Sequence, residues 1–72
     1  MKGLILYNNL KEYRKKKNIS QVMLAEKIGV TRQTISSIEN LQYCPSTKLA
    51  LLITYALDES FENIFYLDIS ND

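Results

Sequence analysis

The alternation of apolar and polar positions is sharpest between residues 20 and 40, where it predicts two short helices joined by a tight turn. Ser20 is placed to cap the first helix, and Gly29 can adopt the left-handed conformation that ends it. Val30 would be the buried residue of the turn, and Thr31 is placed to cap the second helix. The apolar stripes recur at helical spacing and consist of Leu24, Ala25, Ile28, Ile35 and Ile38. This order of helix, turn and helix is the pattern of a helix-turn-helix.

Three more helices are predicted outside this segment. A first helix runs from about residue 9 to residue 17, with Leu10 and Tyr13 facing inward, and Asn18 breaks it. Pro45 and Ser46 begin a fourth helix that extends to about residue 57. Its buried stripe would be Leu49, Ala50, Ile53 and Leu57. A brief fifth helix covers residues 61–64, after a cap at 58–60. The pattern therefore predicts an all-α fold, a compact five-helix domain over residues 1–72.

The two ends of the chain are short, apolar and β-prone, and neither carries a helical stripe. They are the segments 4–7 and 65–69. Antiparallel pairing would satisfy the hydrogen-bonding edges of both strands. Frayed, partly disordered tails are the alternative. We expect a small antiparallel two-stranded ribbon formed by the chain termini.

Composition narrows the class of protein. With 72 residues, of which 46% are hydrophobic, the chain can build one small domain with its own core. The single cysteine, Cys44, allows no internal disulfide and fits a reducing cytoplasm. For Cys44 a redox role is conceivable, but a spare small residue is the favoured interpretation. We expect neither a membrane span nor a signal peptide, and hence a cytoplasmic protein.

Charge is distributed unevenly along the chain, although the net charge is only +1. Residues 1–40 contain eight Lys and Arg against three Glu, whereas residues 41–72 contain one Lys against five Asp and Glu. The two parts therefore carry +5 and −4, a separation that could orient the molecule on a polyanion. The alternative for the basic run 14–17 is that it merely completes the first helix, where cations suit the helix dipole.

The outward face of the second motif helix carries short or fork-shaped hydrogen-bonding side chains. They are Arg32, Gln33, Thr34, Ser36 and Ser37. These are the side-chain types that read base edges in a major groove. A merely solvated polar face is the alternative. DNA binding is the leading interpretation.

A series of short motifs extends over about five-sixths of the chain. They are Leu10-Lys11-Glu12-Tyr13-Arg14, Ser20-Gln21, Leu24-Ala25, Gly29-Val30, Thr31 to Ser36, Ile38-Glu39-Asn40, Pro45-Ser46, Leu49-Ala50 and Ile64-Phe65. The series resembles the Cro/C1-type helix-turn-helix family, also called the xenobiotic-response-element family. It is most similar to the very short stand-alone repressors of the cytolysin-operon repressor type. The resemblance implies a lambda-repressor-like fold and a prokaryotic or phage-encoded transcriptional regulator, expected to act as a repressor. It would bind palindromic operator DNA as a homodimer.

The resemblance also implies a division of labour among the DNA contacts. The helix over residues 31–40 would be the recognition helix, with its first turn in the major groove. Base contacts are expected from Arg32, Gln33, Thr34 and Ser37. Phosphate contacts are expected from Gln21, Thr31, Asn40, Tyr43 and Lys48. Gln21 would also brace Arg32.

Two structural roles complete what the resemblance implies. Arg14 and Glu39 occupy the positions of an ion pair that ties the first helix to the third. A homodimer is expected because one recognition helix buries too little surface for tight operator binding. Its interface is expected at the C-terminal end, from Leu57, Phe61, Ile64, Phe65 and Tyr66.

Some positions depart from the family pattern. Leu41 stands where glycine is usual, and Asn40, which tolerates the left-handed conformation, could supply the turn instead. The other departures place apolar residues where glutamate or other polar residues are more common: Val22, Met23, Leu52 and Tyr55. Part of this apolar excess must face a partner or remain as a surface patch.

Catalysis is not supported by the sequence. The chain has no histidine, no glycine-rich phosphate loop, no metal-ligand spacing, and a single cysteine without a usual base partner. We expect no enzyme, no metal and no cofactor. Regulation would then act through dimer concentration, shared operator sites or a second regulatory protein. The competing hypothesis is a protein-interaction module, a helix-turn-helix fold kept as a dimeric adaptor or antitoxin partner. The salt dependence of duplex binding separates the two.

Overall fold

The computed structural model describes residues 4–68, so the part of the predicted C-terminal strand at Ile69 lies outside the described residues. The elements in chain order are β1 (Leu6–Asn8), α1 (Leu10–Lys16), α2 (Gln21–Ile28), α3 (Arg32–Glu39), α4 (Thr47–Leu57), α5 (Phe61–Ile64) and β2 (Phe65–Leu67). The predicted five-helix fold with a small antiparallel ribbon is confirmed.

Hydroxyl caps begin three of the helices. The side chains of Ser20, Thr31 and Ser46 each accept a hydrogen bond from the backbone N–H three residues further on. Each such cap stabilises its helix by about 1 kcal/mol. α2 ends at Gly29, which has a φ of +80°. A Cβ at this position would meet nothing within 4 Å, so the left-handed backbone alone favours glycine here.

The turn after α3 differs from the expectation. Asn40 keeps a φ of −89°, and its N–H still donates to Ser36, so the helical pattern continues through it. Leu41 takes the left-handed conformation instead, with a φ of +61°. Its N–H donates to Ile38, and the N–H of Gln42 donates to the carbonyl of Ser37, the bond pattern of a Schellman motif. The proposed turn at Asn40 was therefore wrong, because the left-handed residue is Leu41, one position later.

One apolar core joins all five helices and the ribbon. It consists of Leu10, Leu24, Ala25, Ile35, Ile38, Ala50, Ile53, Leu57, Ile64 and Phe65. The predicted inward stripes of α2 and α3 lie within it or pack against it. Three residues expected at a dimer interface, Leu57, Ile64 and Phe65, are also part of it.

The ribbon pairs Leu6 with Leu67, Tyr7 with Tyr66, and Asn8 with Phe65. The rings of Tyr7 and Tyr66 stack, with centroids 5.9 Å apart. The first strand lies slightly later than expected because Asn8 belongs to it. The Asn8 amide nitrogen donates to the Ile38 carbonyl at 3.0 Å, and its side-chain oxygen accepts from the first N–H of α1 at 3.1 Å. This side chain therefore fixes the ribbon to the end of α3.

Candidate nucleic-acid interface

The predicted base-reading residues lie on the first two turns of α3. Arg32 and Gln33 are exposed, whereas Thr34 and Ser37 are half-buried. Gln33 donates to the hydroxyl of Ser37 at 3.4 Å, so these two share one row of the helix surface. The hydroxyl of Thr34 lies 3.1 Å from that of the N-cap Thr31, on the flank of this face. The buried Ile35 and Ile38 hold the opposite side of α3 in the core.

A series of side-chain hydrogen bonds runs from the exposed Arg32 to the buried Arg14. Arg32 Nη1 donates to Gln21 Oε1 at 2.8 Å, and Gln21 Nε2 donates to Glu39 Oε1 at 3.0 Å. Arg14 completes the series, with Nε 2.8 Å from Glu39 Oε2 and Nη2 3.3 Å from Oε1. The third nitrogen, Nη1, donates to the Ile19 carbonyl at 3.0 Å. We call these four side chains the Arg14–Arg32 network.

The ion pair within this network is almost shielded from water. The side chains of Arg14 and Glu39 are 9% and 4% exposed. No side-chain nitrogen or oxygen buried within residues 4–68 lacks a hydrogen-bond partner. Because both charges are paired and satisfied, the pair ties α1 to the end of α3. Loss of one partner would leave an uncompensated charge in the protein interior.

The five residues expected at phosphates are spread around the ends of α2, α3 and α4. Gln21 is the first residue of α2 and Thr31 caps α3, while Asn40 and Tyr43 lie in the turn after α3 and Lys48 in the first turn of α4. All except Gln21 are exposed. The backbone N–H of Tyr43 donates to the carbonyl of Ser37 at 3.2 Å, which holds this turn against α3. Backbone N–H groups at helix starts also attract anions.

Much of the basic run 14–17 serves the fold. Lys17 pairs with Glu59 at 3.1 Å, and the Lys16 ammonium lies 4.8 Å from the centre of the Tyr13 ring. A hydrogen bond from Asn63, followed by one from Lys17, holds the pKa of the Glu59 carboxyl below its usual value. Contacts within the fold therefore account for Lys16 and Lys17 as well as for the buried Arg14. The partner of Lys17 was not predicted from the sequence, because Glu59 lies 42 residues further along the chain.

The residues expected at a dimer interface separate into two groups. Leu57, Ile64 and Phe65 are at most 2% exposed because they complete the core of this chain. Their side chains are therefore not at the protein surface, where a partner could contact them. Phe61 and Tyr66 remain 37% and 42% exposed. The outward face of α4 carries further exposed apolar residues that were not assigned to an interface: Leu51, Leu52 and Tyr55. Tyr55 is 82% exposed.

Other kinds of site find little support among residues 4–68. That part of the chain contains no group of three or more side chains that could hold a metal ion. No helix within it is long and apolar enough to cross a membrane. An open surface pocket of about 350 Å³ beside the ion pair has a polar lining: Asn8, Asn9, Lys11, Glu12, Lys15 and Glu39.

Comparison with known proteins gives a consistent result. A family model described as helix-turn-helix matches residues 10–64. The HTH-type transcriptional regulator YgzD of Bacillus subtilis is 44% identical over 64 residues, covering 89% of this chain and 97% of that protein. An HTH-type transcriptional regulator of Methanothermobacter thermautotrophicus is 48% identical over 60 residues, covering 82% of this chain and 87% of the relative. Among solved structures, the restriction-modification controller protein C.AhdI of Aeromonas hydrophila superimposes with a TM-score of 0.71 at 31% identity. That match covers 75% of this chain and 82% of the controller protein.

Proposed function

The chain belongs to the helix-turn-helix family of Cro/C1-type transcriptional regulators, and from this premise we propose that it is a repressor that binds a palindromic operator as a homodimer. The observation that carries the proposal is the polar face of α3. Its exposed Arg32 and Gln33 stand on a helix anchored by the buried Ile35 and Ile38. A rigid helix with forked donors on its open side suits readout in a major groove.

Each base-reading side chain matches a chemical pattern on a base edge. The Arg32 fork fits the O6 and N7 acceptors of guanine, and the Gln33 amide fits the N6 and N7 of adenine. The methyl group of Thr34 can contact the methyl of thymine, and Ser37 follows one turn further on. These contacts would specify sequence, each good bidentate pair contributing about 1–3 kcal/mol of discrimination.

Phosphate contacts would supply register and much of the affinity. The proposed residues are Gln21, Thr31, Asn40, Tyr43 and Lys48. Gln21 bonds to Arg32, and Thr31 and Asn40 cap the two ends of α3. Tyr43 and Lys48 follow α3 in the chain. The uneven charge of the chain, +5 over residues 1–40 and −4 over residues 41–72, favours approach with the N-terminal part of the chain toward the polyanion. A protein-interaction module would have no need of the polar face of α3.

Exposed apolar side chains on α4, α5 and β2 support a homodimer. Those of Leu51, Leu52, Tyr55, Phe61 and Tyr66 are between 36% and 82% exposed. At about 200 Å² for a fully exposed large side chain, they amount to roughly 480 Å² per protomer. A standard interface buries about 800 Å² per partner, of which about 60% is apolar. We therefore propose that the interface is formed by these exposed side chains, and not by the buried Leu57, Ile64 and Phe65.

Selection of duplexes from a random pool, followed by sequencing, tests the proposal. We expect a two-fold symmetric sequence with half-sites one helical turn apart. Affinity for the selected duplex should fall steeply with salt, and sedimentation should show a dimer at tens of micromolar. Failure to retain any duplex at any salt would refute the proposal and favour an adaptor that acts through a second regulatory protein. A reporter placed behind the selected sequence distinguishes repression from activation in the prokaryotic cytoplasm, the proposed location.

A further inference from the structure

We propose that Glu39 is a positioning residue for base recognition: it fixes the direction of the Gln21 amide, and through that amide it aims Arg32. The inference rests on the proposed function, because it concerns how α3 reads DNA. It assigns Glu39 a second role beside its ion pair with Arg14. That role follows from the contact between Gln21 and Glu39, which joins the ion pair to the base-reading face.

The chemistry of its two neighbours allows the Gln21 amide only one direction. Glu39 offers a carboxylate, which only accepts hydrogen bonds, and Arg32 offers a guanidinium, which only donates them. The amide nitrogen must therefore face Glu39, at 3.0 Å, and the amide oxygen must face Arg32, at 2.8 Å. A reversed amide would place oxygen against carboxylate and N–H against guanidinium, and would lose both bonds.

Glu39 can impose this direction because it is itself immobilised. Arg14 donates to both of its oxygens, and its side chain is only 4% exposed. Gln21 is equally constrained at its backbone, since it is the first residue of a helix capped by Ser20. The second amide hydrogen of Gln21 is not used within the network and is free to meet a phosphate. One side chain would then connect the buried carboxylate, the DNA backbone and the base-reading arginine.

As a consequence, the Arg32 guanidinium is held at one of its nitrogen atoms before DNA binds. Arg32 is exposed, and without the amide its long side chain would sample many rotamers. Held by Nη1, it keeps its other N–H groups for the two acceptors of guanine. Glu39 should thus affect discrimination at one base pair, whereas a purely structural residue would affect all duplexes equally.

The test compares two duplexes that differ by one acceptor. The selected operator and copies with 7-deazaguanine at each guanine in turn are titrated by fluorescence anisotropy at a fixed salt concentration. The parent should prefer guanine at one position by about 2- to 13-fold, because 7-deazaguanine removes only one of the two acceptors of the bidentate contact. In Glu39→Gln, the single side-chain oxygen stays with Arg14 Nε, the shorter of the two Arg14 bonds, so the new NH₂ group takes the Oε1 position, faces Gln21 and reverses its amide. We define the guanine preference as the ratio of the affinities for the normal and the substituted duplex. In this variant and in Gln21→Leu, the logarithm of that ratio should be less than about a third of the parent value. Gln21→Leu/Glu39→Gln should lose no more of the guanine preference than either single variant, because both substitutions act through the hydrogen bond between Gln21 and Glu39.

Glu59→Gln is the matched control. Glu59 also accepts from one cation and one side-chain amide, Lys17 and Asn63, and it makes no contact with the Arg14–Arg32 network in the hydrogen bonds described above. The same chemical change there should leave the guanine preference unaltered. Should Glu39→Gln fail to fold by circular dichroism, Arg14→Leu/Glu39→Leu replaces it, since that pair removes both charges together and also deprives Gln21 of its acceptor.

Each outcome has one meaning. A parent that binds no duplex refutes the proposed function itself. A parent that binds but prefers guanine nowhere refutes readout by Arg32, and with it this inference. If the Glu39 variants weaken binding to the normal and the substituted duplexes by the same factor, the guanine preference is unchanged. Glu39 is then only structural, and the inference is overturned while the proposed function stands.

Discussion

Replacing either Arg14 or Glu39 alone should destabilise the fold far more than replacing both residues of this ion pair together. In Glu39→Leu the Arg14 guanidinium, 9% exposed, keeps only its bond to the Ile19 carbonyl. In Arg14→Leu the Glu39 carboxylate, 4% exposed, keeps only the bond from Gln21. Each single variant leaves a charge in the interior without its partner. We expect each to lose about 3–5 kcal/mol of unfolding free energy.

This loss is large for so small a domain. At about 0.05–0.15 kcal/mol per residue, 72 residues have an unfolding free energy of roughly 4–11 kcal/mol. With a stability at the lower end of this range, each single variant should be partly unfolded at 37 °C. In Arg14→Leu/Glu39→Leu both charges disappear and two apolar side chains fill similar volume. The double variant should lie within about 2 kcal/mol of the parent, since it still loses the donor to the Ile19 carbonyl.

Urea denaturation followed by circular dichroism at 25 °C measures all four proteins of the cycle. Reductant keeps the exposed Cys44 from forming intermolecular disulfides. The expected coupling energy between the two positions is at least about 3 kcal/mol. Two single losses below about 1 kcal/mol that simply add in the double variant would refute the reasoning, because the charges would then be hydrated in the folded state.

Four further predictions concern separate parts of the molecule. Gly29→Ala should cost about 1 kcal/mol in urea denaturation, from backbone strain alone; a much larger loss would contradict the open space around this position. Gln33→Ala should cost roughly 1–3 kcal/mol on the selected operator and little on random DNA, measured by anisotropy; undiminished operator binding would show that α3 is wrongly placed. Tyr55→Glu, at an 82% exposed position, should give a monomer in sedimentation while the fold remains intact by circular dichroism, and a persistent dimer would exclude the α4 surface. The hydrogen bond from Asn63 lowers the pKa of the Glu59 carboxyl, so the stability that this bond contributes is present above the usual Glu pKa and is lost as the pH falls through the lowered pKa. An NMR titration of the Glu59 carboxyl carbon should show this pKa rising in Asn63→Ala.

Local chemistry was sufficient to predict the helix boundaries around the motif. The hydroxyl caps Ser20 and Thr31 and the left-handed Gly29 act within a few residues of themselves, so their conformations follow from their own side chains and neighbours. The outward placement of Arg32 and Gln33 likewise follows from helical periodicity once Ile35 and Ile38 face inward. These features define the helix-turn-helix motif, and for this reason the family could be identified from the sequence.

The tertiary structure decided whatever depends on distant partners. The sequence could not tell Ile64 and Phe65 in the core from Phe61 on the surface, because short apolar segments near a chain end look alike until the rest of the bundle packs against them. The turn at Leu41 was missed for a different reason, since its hydrogen bonds are local and continue the helical pattern through Asn40. Gln21 and Glu39 are 18 residues apart, and neither suggests the other in the sequence. Only the packing of α1, α2 and α3 brings donor and acceptor to 3.0 Å, because side-chain pairing between helices requires a geometry that no single helix contains.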